Sequence, residues 1–392
     1  MQRMRHRKAK RVAIALEVEW GFKRHLETYA GCQRYADEAG WECSITPTTA
    51  SILKTKGEKP SFDGILARTT VPLAAAAKRM NVPLVNLWMN TPVRSLPSVF
   101  PDFEASGQMA AEHLLSRGFR RFGYLGFLRD KDAVLQLSGF RDRLKTENLD
   151  CSPFRFSRVG ATTTAQGWKT LIQGMEKWVA SLRPPAGIFV VNDLYCRYLI
   201  DVCRAQDLTI PQDLGIVGCS NEATICSSPP PTLTSIDMSF EQVGYRAAAL
   251  LDRMMKGSKP PKFPELVPLN TLIPRQSTDS YAAENPTVSR ALRFMSENAH
   301  HPIKVADVAN HIGVNRRSLE RQFKESLKKS IAGEITRLRL ARAKRRLVES
   351  TAPLKTVARD CGFRNADHLH KVFTRVEGTT PSQFRKQRER SR

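Results

Sequence analysis

The chain has 392 residues, more than one ordinary domain needs, and its 41% hydrophobic content is enough to fill two or three separate cores. It carries 62 Lys/Arg against 38 Asp/Glu, a net charge of +24. No apolar run reaches membrane-spanning length, and the run Val12–Leu16 behind the basic start stops at Glu17, too short for a secretion signal; a cytoplasmic protein is expected.

The chain opens on a basic tail, residues 1–11, with six basic and no acidic side chains. Residues 12–276 are nearly neutral and alternate short apolar runs with helical patterns. Val12–Leu16, Gly64–Leu66, Leu84–Leu87, Arg121–Leu125, Gly187–Val191 and Leu214–Gly218 read as strands, and Arg24–Ala39, Phe103–Ser116, Gly139–Glu147 and Ala165–Ser181 as helices. Such alternation predicts doubly wound parallel sheets covered by helices, and more than 250 residues of it predict two lobes. Lobe 1 is expected at about 12–118 plus 237–258, and lobe 2 at about 119–236 plus 262–276. Folds of this kind hold small molecules in a cleft beyond the carboxyl ends of the strands. A polar, proline-ended passage at 277–286 reads as a linker, and from 287 to 392 strand patterns give way to short helices.

That last region holds 25 Lys/Arg against 10 Asp/Glu. A locally basic domain is the footprint of a polyanion partner. Membrane lipid would call for a basic amphipathic helix with exposed aromatics or a lipidation signal, and neither is apparent. Nucleic acid is the expected partner.

The same region repeats itself. Val305, Val308, Ala309, Gly313, Val314, Leu319 and Phe323 form one register; Leu354, Val357, Ala358, Gly362, Phe363, Leu369 and Phe373 form a second. In each, an apolar trio lies on a short helix, glycine ends that helix because it adopts a left-handed conformation cheaply, and asparagine starts the next one. On the second helix, leucine and phenylalanine four residues apart pack inward and leave the opposite face free. That makes two helix-turn-helix units. The first free face offers Asn315, Arg316, Arg317, Ser318, Arg321 and Lys324; the second offers Arg364, Asn365, Asp367, His368 and Lys371. Arginine can grip guanine bidentately and aspartate can accept from cytosine, whereas many other arginine contacts go to phosphate. Between the units, Ile331–Glu349 reads as one helix about 28 Å long, enough to set two recognition helices near successive major-groove turns of double-stranded DNA.

The run from Arg337 to Val348, then Val357–Phe363, His370–Phe373 and Gly378–Arg385, resembles the AraC-type DNA-binding domain. The resemblance covers 287–388 and implies that Asn315–Lys324 and Asn365–Arg375 enter adjacent major-groove segments. The front half resembles the LacI-type sugar-sensing core, through Val99–Asp102, Gly107–Gly118, Phe189–Asp193, Ile210–Gly218, Leu233–Asp237 and Leu272–Thr278. It implies a two-lobed periplasmic-binding-protein-like α/β fold, here without the usual DNA-binding headpiece in front and followed by the all-α domain with two helix-turn-helix units. This order of parts resembles the xylose-operon regulators. The expected ligand-facing residues are Glu19, Trp20, Arg24, Arg68, Gln136, Asn192, Asp193, Ser220 and Asn221. Gln136 stands where the family has arginine, and Ser220 where it has aspartate. Trp88 is expected in the core; Trp20 is balanced between core and sugar stacking.

Eight scattered cysteines make no C-x-x-C pair, so reduced structural thiols are expected. His300-His301 and His368/His370 lack partners at ligand spacing. No dinucleotide fingerprint, phosphate loop or nucleophile elbow is present, so neither a cofactor nor catalysis is expected. The expectation is a dimeric, ligand-gated DNA-binding regulator. A small polyol is the leading effector, and RNA polymerase a partner if it activates. Repression, a different or silent sensor, a sugar-transport component and a DNA-repair alkyl-acceptor fusion are the alternatives.

Overall fold

The computed structural model describes residues 9–16, 23–46, 61–158, 160–283, 285–350 and 352–389. Its first sheet has the order β2-β1-β3-β4, from β1 (Arg11–Ala15), β2 (Glu42–Ile45), β3 (Gly64–Ala67) and β4 (Leu84–Asn86), with every pairing parallel. The helices α1 (Lys23–Ala39) and α2 (Val71–Arg79) belong to this lobe. After β5 (Val99–Pro101) the chain crosses to α3 (Phe103–Ser116) and builds the second lobe. There β6 (Phe122–Phe127), α4 (Lys131–Lys145), β7 (Cys151–Phe156), α5 (Ala165–Ser181), β8 (Ala186–Val190), α6 (Asp193–Ala205), β9 (Leu214–Cys219), α7 (Ala223–Ser227) and β10 (Thr234–Ile236) follow. A second crossing returns the chain to α8 (Phe240–Met255) and β11 (Glu265–Val267), which pairs with β5. A third brings β12 (Leu272–Ile273) to the edge of the second sheet, whose order is β12-β10-β9-β8-β6-β7.

The strands fully buried on both faces, such as Gly64–Ala67, Ala186–Val190 and Leu214–Cys219, are the continuous apolar runs visible in the sequence. The pairing is parallel except at β12, which runs antiparallel to β10. Three expectations need correction. First, α3 belongs to lobe 2 rather than lobe 1: Ala110, Ala111 and Leu114 share a core with Phe119, Tyr124 and Phe189. Its crossing with α4 is tight because a Cβ on Gly107 would sit 2.1 Å from the Gln136 carbonyl, and one on Gly139 would sit 2.0 Å from that of Glu104. Second, β11 falls with lobe 1, since its partner is β5. Third, the passage taken as a linker is built in at both ends. Ser277 and Thr278 are fully buried in a 3-10 turn, where Ser277 Oγ donates to the Ile216 carbonyl at 2.6 Å and also accepts from Thr234 N. Pro286 already lies in the next helix.

The remaining chain is helical: α9 (Pro286–Asn298), α10 (Val305–Ile312), α11 (Arg316–Leu327), α12 (Ile331–Glu349), α13 (Leu354–Asp360), α14 (Ala366–Glu377) and α15 (Pro381–Glu389). Two cores divide it. Val308, Ala309, Leu319 and Phe323 pack with α9 and the first half of α12, whereas Val357, Ala358, Leu369 and Phe373 pack with the second half. Between α9 and the sensor, Ala282 N donates to the Arg117 carbonyl at the end of α3 (2.9 Å), and the Arg117 guanidinium lies 5.4 Å from the centre of the Tyr281 ring.

Candidate functional site

Both helix-turn-helix units have the local geometry that their sequence implies. Gly313 and Gly362 have φ of +76° and +75°, conformations that glycine adopts without strain. Asn315 Oδ1 accepts from Arg317 N (2.8 Å) and Asn365 Oδ1 from His368 N (2.8 Å), which caps α11 and α14. Leu319, Phe323, Leu369 and Phe373 are wholly buried, and the opposite faces are turned outward. Asn315, Arg316, Arg317, Arg321 and Lys324 are exposed on the first unit; Arg364, Asn365, Asp367, His368 and Lys371 are exposed on the second. Ser318 is half-buried and accepts from Gln322.

The cations between the units have other work. Arg339 donates to the carbonyls of Ala299, His301 and Ile303 at 2.9–3.0 Å, and Arg342 to that of Asp360 at 3.0 Å. Arg346 pairs with Asp360 at 2.7 Å and Lys344 with Glu377 at 3.0 Å. Arg337 holds Asp279 and the buried Glu334. These residues tie α12 to its neighbours and satisfy carbonyls that helix ends leave unpaired.

In the sensor, a cleft of about 600 Å3 including its open mouth lies between the lobes, beyond the carboxyl ends of the parallel strands. Lobe 1 supplies Arg24, Arg68 and Trp88, and the Arg68 guanidinium lies 4.6 Å from the centre of the Trp88 ring. Trp88 is therefore half-buried on the cleft wall and not in the core. Lobe 2 supplies Asp132 and Arg158, and an adjoining hollow adds Asn192, Asp193 and Ser220. Asn192 caps α6 by accepting from Tyr195 N (3.2 Å). Asp193 is fully buried and accepts from Glu222 N (2.8 Å); burial raises its pKa to about 6 despite the neighbouring Ser235 hydroxyl. The close fit explains Gly218, whose Cβ would come within 2.2 Å of Asp193 Oδ1. His25 is held neutral, its pKa lowered to about 3 by burial and then by Arg24, Arg68 and Arg158.

Two expected ligand-facing residues lie elsewhere. Gln136 is 2% exposed inside lobe 2, with its Nε2 3.2 Å from Cys219 Sγ. Asn221 turns to the hinge, accepting from Arg275 Nη2 at 2.7 Å. Glu19 and Trp20 lie outside the described residues. Residues at the cleft that the sequence did not single out include His25, Asn90, Asp132, Arg158 and Glu222. Asn90 spans the lobes: its Oδ1 accepts from Lys131 N (2.6 Å) and its Nδ2 donates to Asp132 Oδ1 (3.2 Å). Only an N-terminal turn of α4 placed at Lys131, eight residues before the expected start, could have signalled this pairing. Among the described residues, no group of three or more His, Cys, Asp and Glu comes together as a metal site, and no helix is long and apolar enough to cross a membrane.

Comparison with known proteins agrees with this division. Residues 111–278 match the model of a periplasmic binding protein-like domain and residues 308–387 that of a helix-turn-helix domain. The chain is a DNA-binding transcription regulator in which a periplasmic-binding-protein-like domain precedes an AraC-type helix-turn-helix domain. Along nearly its whole length it is similar to the xylose operon regulatory protein of Escherichia coli K12, with 26% identity over 387 residues, 96% of this chain and 97% of that one. The Haemophilus influenzae protein of the same name is 28% identical over 292 residues, 74% of each chain. A solved structure of the xylose-binding transcription activator xylR superposes with a TM-score of 0.71 at 24% identity, covering 97% of this chain and 98% of that one.

Proposed function

We propose that this chain is a cytoplasmic, homodimeric regulator that binds a small sugar or sugar derivative between its lobes and thereby changes its hold on DNA, activating sugar-utilisation genes through RNA polymerase. The observation that carries the reading is the interlobe cleft, where Arg24, Arg68, Asn192, Asp193 and Ser220 meet an aromatic wall. A concave site with convergent polar groups on both halves of a hinged fold is biased by whatever binds it, to the extent of the ligand's differential affinity for the two states. The assignment to pentose utilisation is supported by the xylose operon regulatory proteins to which the chain is similar. The exposed residues of α11 and α14 are proposed as the DNA-reading set, and no catalytic role is assigned.

The test is a thermal-shift titration against pentoses, hexoses and their derivatives, followed by DNA binding with and without the active compound. A saturable shift that also alters DNA affinity supports the reading. DNA binding without response to any of them makes the sensor silent, a reading favoured by the buried Gln136.

A further inference from the structure

Arg339 stands where the two helix-turn-helix units meet. Its neighbours on α12 face different cores: Leu338 belongs to that of the first unit and Leu340 to that of the second. The Arg339 guanidinium reaches the loop between α9 and α10, in the first unit. There its Nε donates to the Ala299 carbonyl (3.0 Å) and its Nη2 to those of His301 (2.9 Å) and Ile303 (3.0 Å). The turn of the second unit packs on the same loop. A Cβ on Gly362 would lie 2.4 Å from the Ala299 carbonyl oxygen, and 2.9 Å from both the His301 carbonyl oxygen and Arg339 Nε. Gly313, its counterpart in the first unit, has the same left-handed backbone but open space where a Cβ would stand. Gly313 is thus required by its own turn, whereas Gly362 is required also by contact with the other unit.

Two bodies joined by a single helix can bend and twist about it. Here carbonyls of the first unit, a guanidinium of the shared helix and the backbone turn of the second unit close on one point. The planar fork of a guanidinium, with five donors, suits it to hold several carbonyls at once. We infer that Arg339 and Gly362 are positioning residues for DNA reading: they lock the two units into one rigid body, which accepts a single separation between the two major-groove segments. The inference rests on the reading of α11 and α14 as the paired DNA-contacting helices. One added base pair displaces a segment by about 3.4 Å and turns it by about 35°. A locked pair does not follow that change. A loosened pair follows it, but is ordered only on binding and so binds every site less tightly.

The experiment uses the full chain and a duplex site selected from a random library by the wild-type protein, with derivatives that gain or lose one base pair between the two protected segments. Dissociation constants are measured at one fixed salt concentration. The wild type loses at least tenfold in affinity on either derivative. Arg339→Met and, independently, Gly362→Ala bind the selected site more weakly, yet lose threefold or less when its spacing changes. Partial unfolding lowers the active fraction equally for every duplex, so this ratio reports the lock and not stability. A loss below tenfold by the wild type overturns the inference without recourse to either variant, and a spacing penalty undiminished in both variants also overturns it. Arg317→Ala and Lys371→Ala test the underlying reading separately. Full affinity in both strikes the assignment of α11 and α14, and the lock with it; weakened binding beside a spacing-tolerant wild type strikes the lock alone.

Discussion

Nη2 of Arg293, on the first helix of the DNA-binding domain, lies 3.1 and 3.0 Å from the two carboxylate oxygens of Asp213, at the entrance to sensor strand β9. Asp213 is itself fixed, accepting from Thr209 N and Thr209 Oγ1 at 2.7 and 2.6 Å. A positioned carboxylate gripped in this way is a joint between the domains and more than a surface pair. Arg293→Ala is expected to leave effector affinity within twofold while the effect of effector on DNA affinity falls severalfold. Comparing DNA dissociation constants with and without effector checks this. Because the arginine is 41% exposed, the cost in stability stays at about 1 kcal/mol or less.

Asn90 closes the cleft by spanning from lobe 1 to the first turn of α4, where Lys131 Nζ also reaches the Thr91 carbonyl at 3.1 Å. Asn90→Ala removes the side-chain half of this clasp. The expected result is five- to tenfold weaker effector binding and a larger radius of gyration by small-angle scattering of the ligand-free protein. An unchanged affinity would show that the clasp carries no part of closure.

Core and proposed reading faces of the DNA-binding domain should separate cleanly under substitution. Phe373→Ala or Leu319→Ala, each at a wholly buried site, costs about 3–5 kcal/mol and lowers the unfolding midpoint of the domain. Arg317→Ala and Lys371→Ala lie on exposed faces and shift stability by less than about 0.5 kcal/mol, yet weaken DNA binding. Denaturant melts paired with a gel-shift titration distinguish the two classes.

Salt dependence follows the faces and not the composition. Residues 287–392 carry a net charge of +15, but Arg337, Arg339, Arg342, Lys344 and Arg346 are spent inside the domain. With the six cations of the two proposed faces, Arg316, Arg317, Arg321, Lys324, Arg364 and Lys371, meeting phosphate, the logarithm of affinity should fall against the logarithm of salt with a slope of about −5 per chain. A slope near zero would contradict the proposed roles of α11 and α14.

Acid acts on the sensor through His25, whose pKa is lowered to about 3 mainly by burial, and through His113, whose Nε2 lies 2.7 Å from Thr278 Oγ1 and whose pKa is lowered to about 4 by burial and then by Arg117. The folded state keeps both neutral, so the stability they contribute is present above their unfolded value of about 6.5 and is lost as pH falls toward 4 and below. Asp193, raised to about 6 by burial, works the other way: the folded state favours its proton, and stability from it declines as pH rises from about 4 to 6. Melting midpoints should therefore fall below pH 6.5, less steeply in His113→Gln and more steeply in Asp193→Asn.

What could be read from the chain was local. The doubled unit announces itself because Gly313, Asn315, Leu319 and Phe323 lie within eleven residues and each has a backbone reason for its place. Strands such as Leu214–Cys219 are legible because burial on both faces demands an unbroken apolar run. Long-range placement was not legible. The start of α4 was missed because its first turn, Lys131-Asp132, serves the opposite lobe, and its buried Gln136 interrupts the apolar stripe. The lobe that owns α3 depends on a crossing between Gly107 and Gly139, 32 residues apart, which no local pattern encodes. Trp88 was placed in the core for its size, but the guanidinium of Arg68 gives its ring a partner at the surface of the cleft.

That crossing makes α3 a lever. Phe103, at its head, borders the cleft; Gly107, one turn on, is the fulcrum against α4; Arg117, past its tail, holds Ala282 and Tyr281. The short arm is about 6 Å and the long arm about 15 Å. A tilt of about 5° at the fulcrum moves the cleft end by about 0.5 Å and the tail by about 1.3 Å, which falls in the range of helix shifts that repack interfaces. A half-ångström change at the wall of the effector site would thus arrive magnified at the joint from which the DNA-binding helices hang.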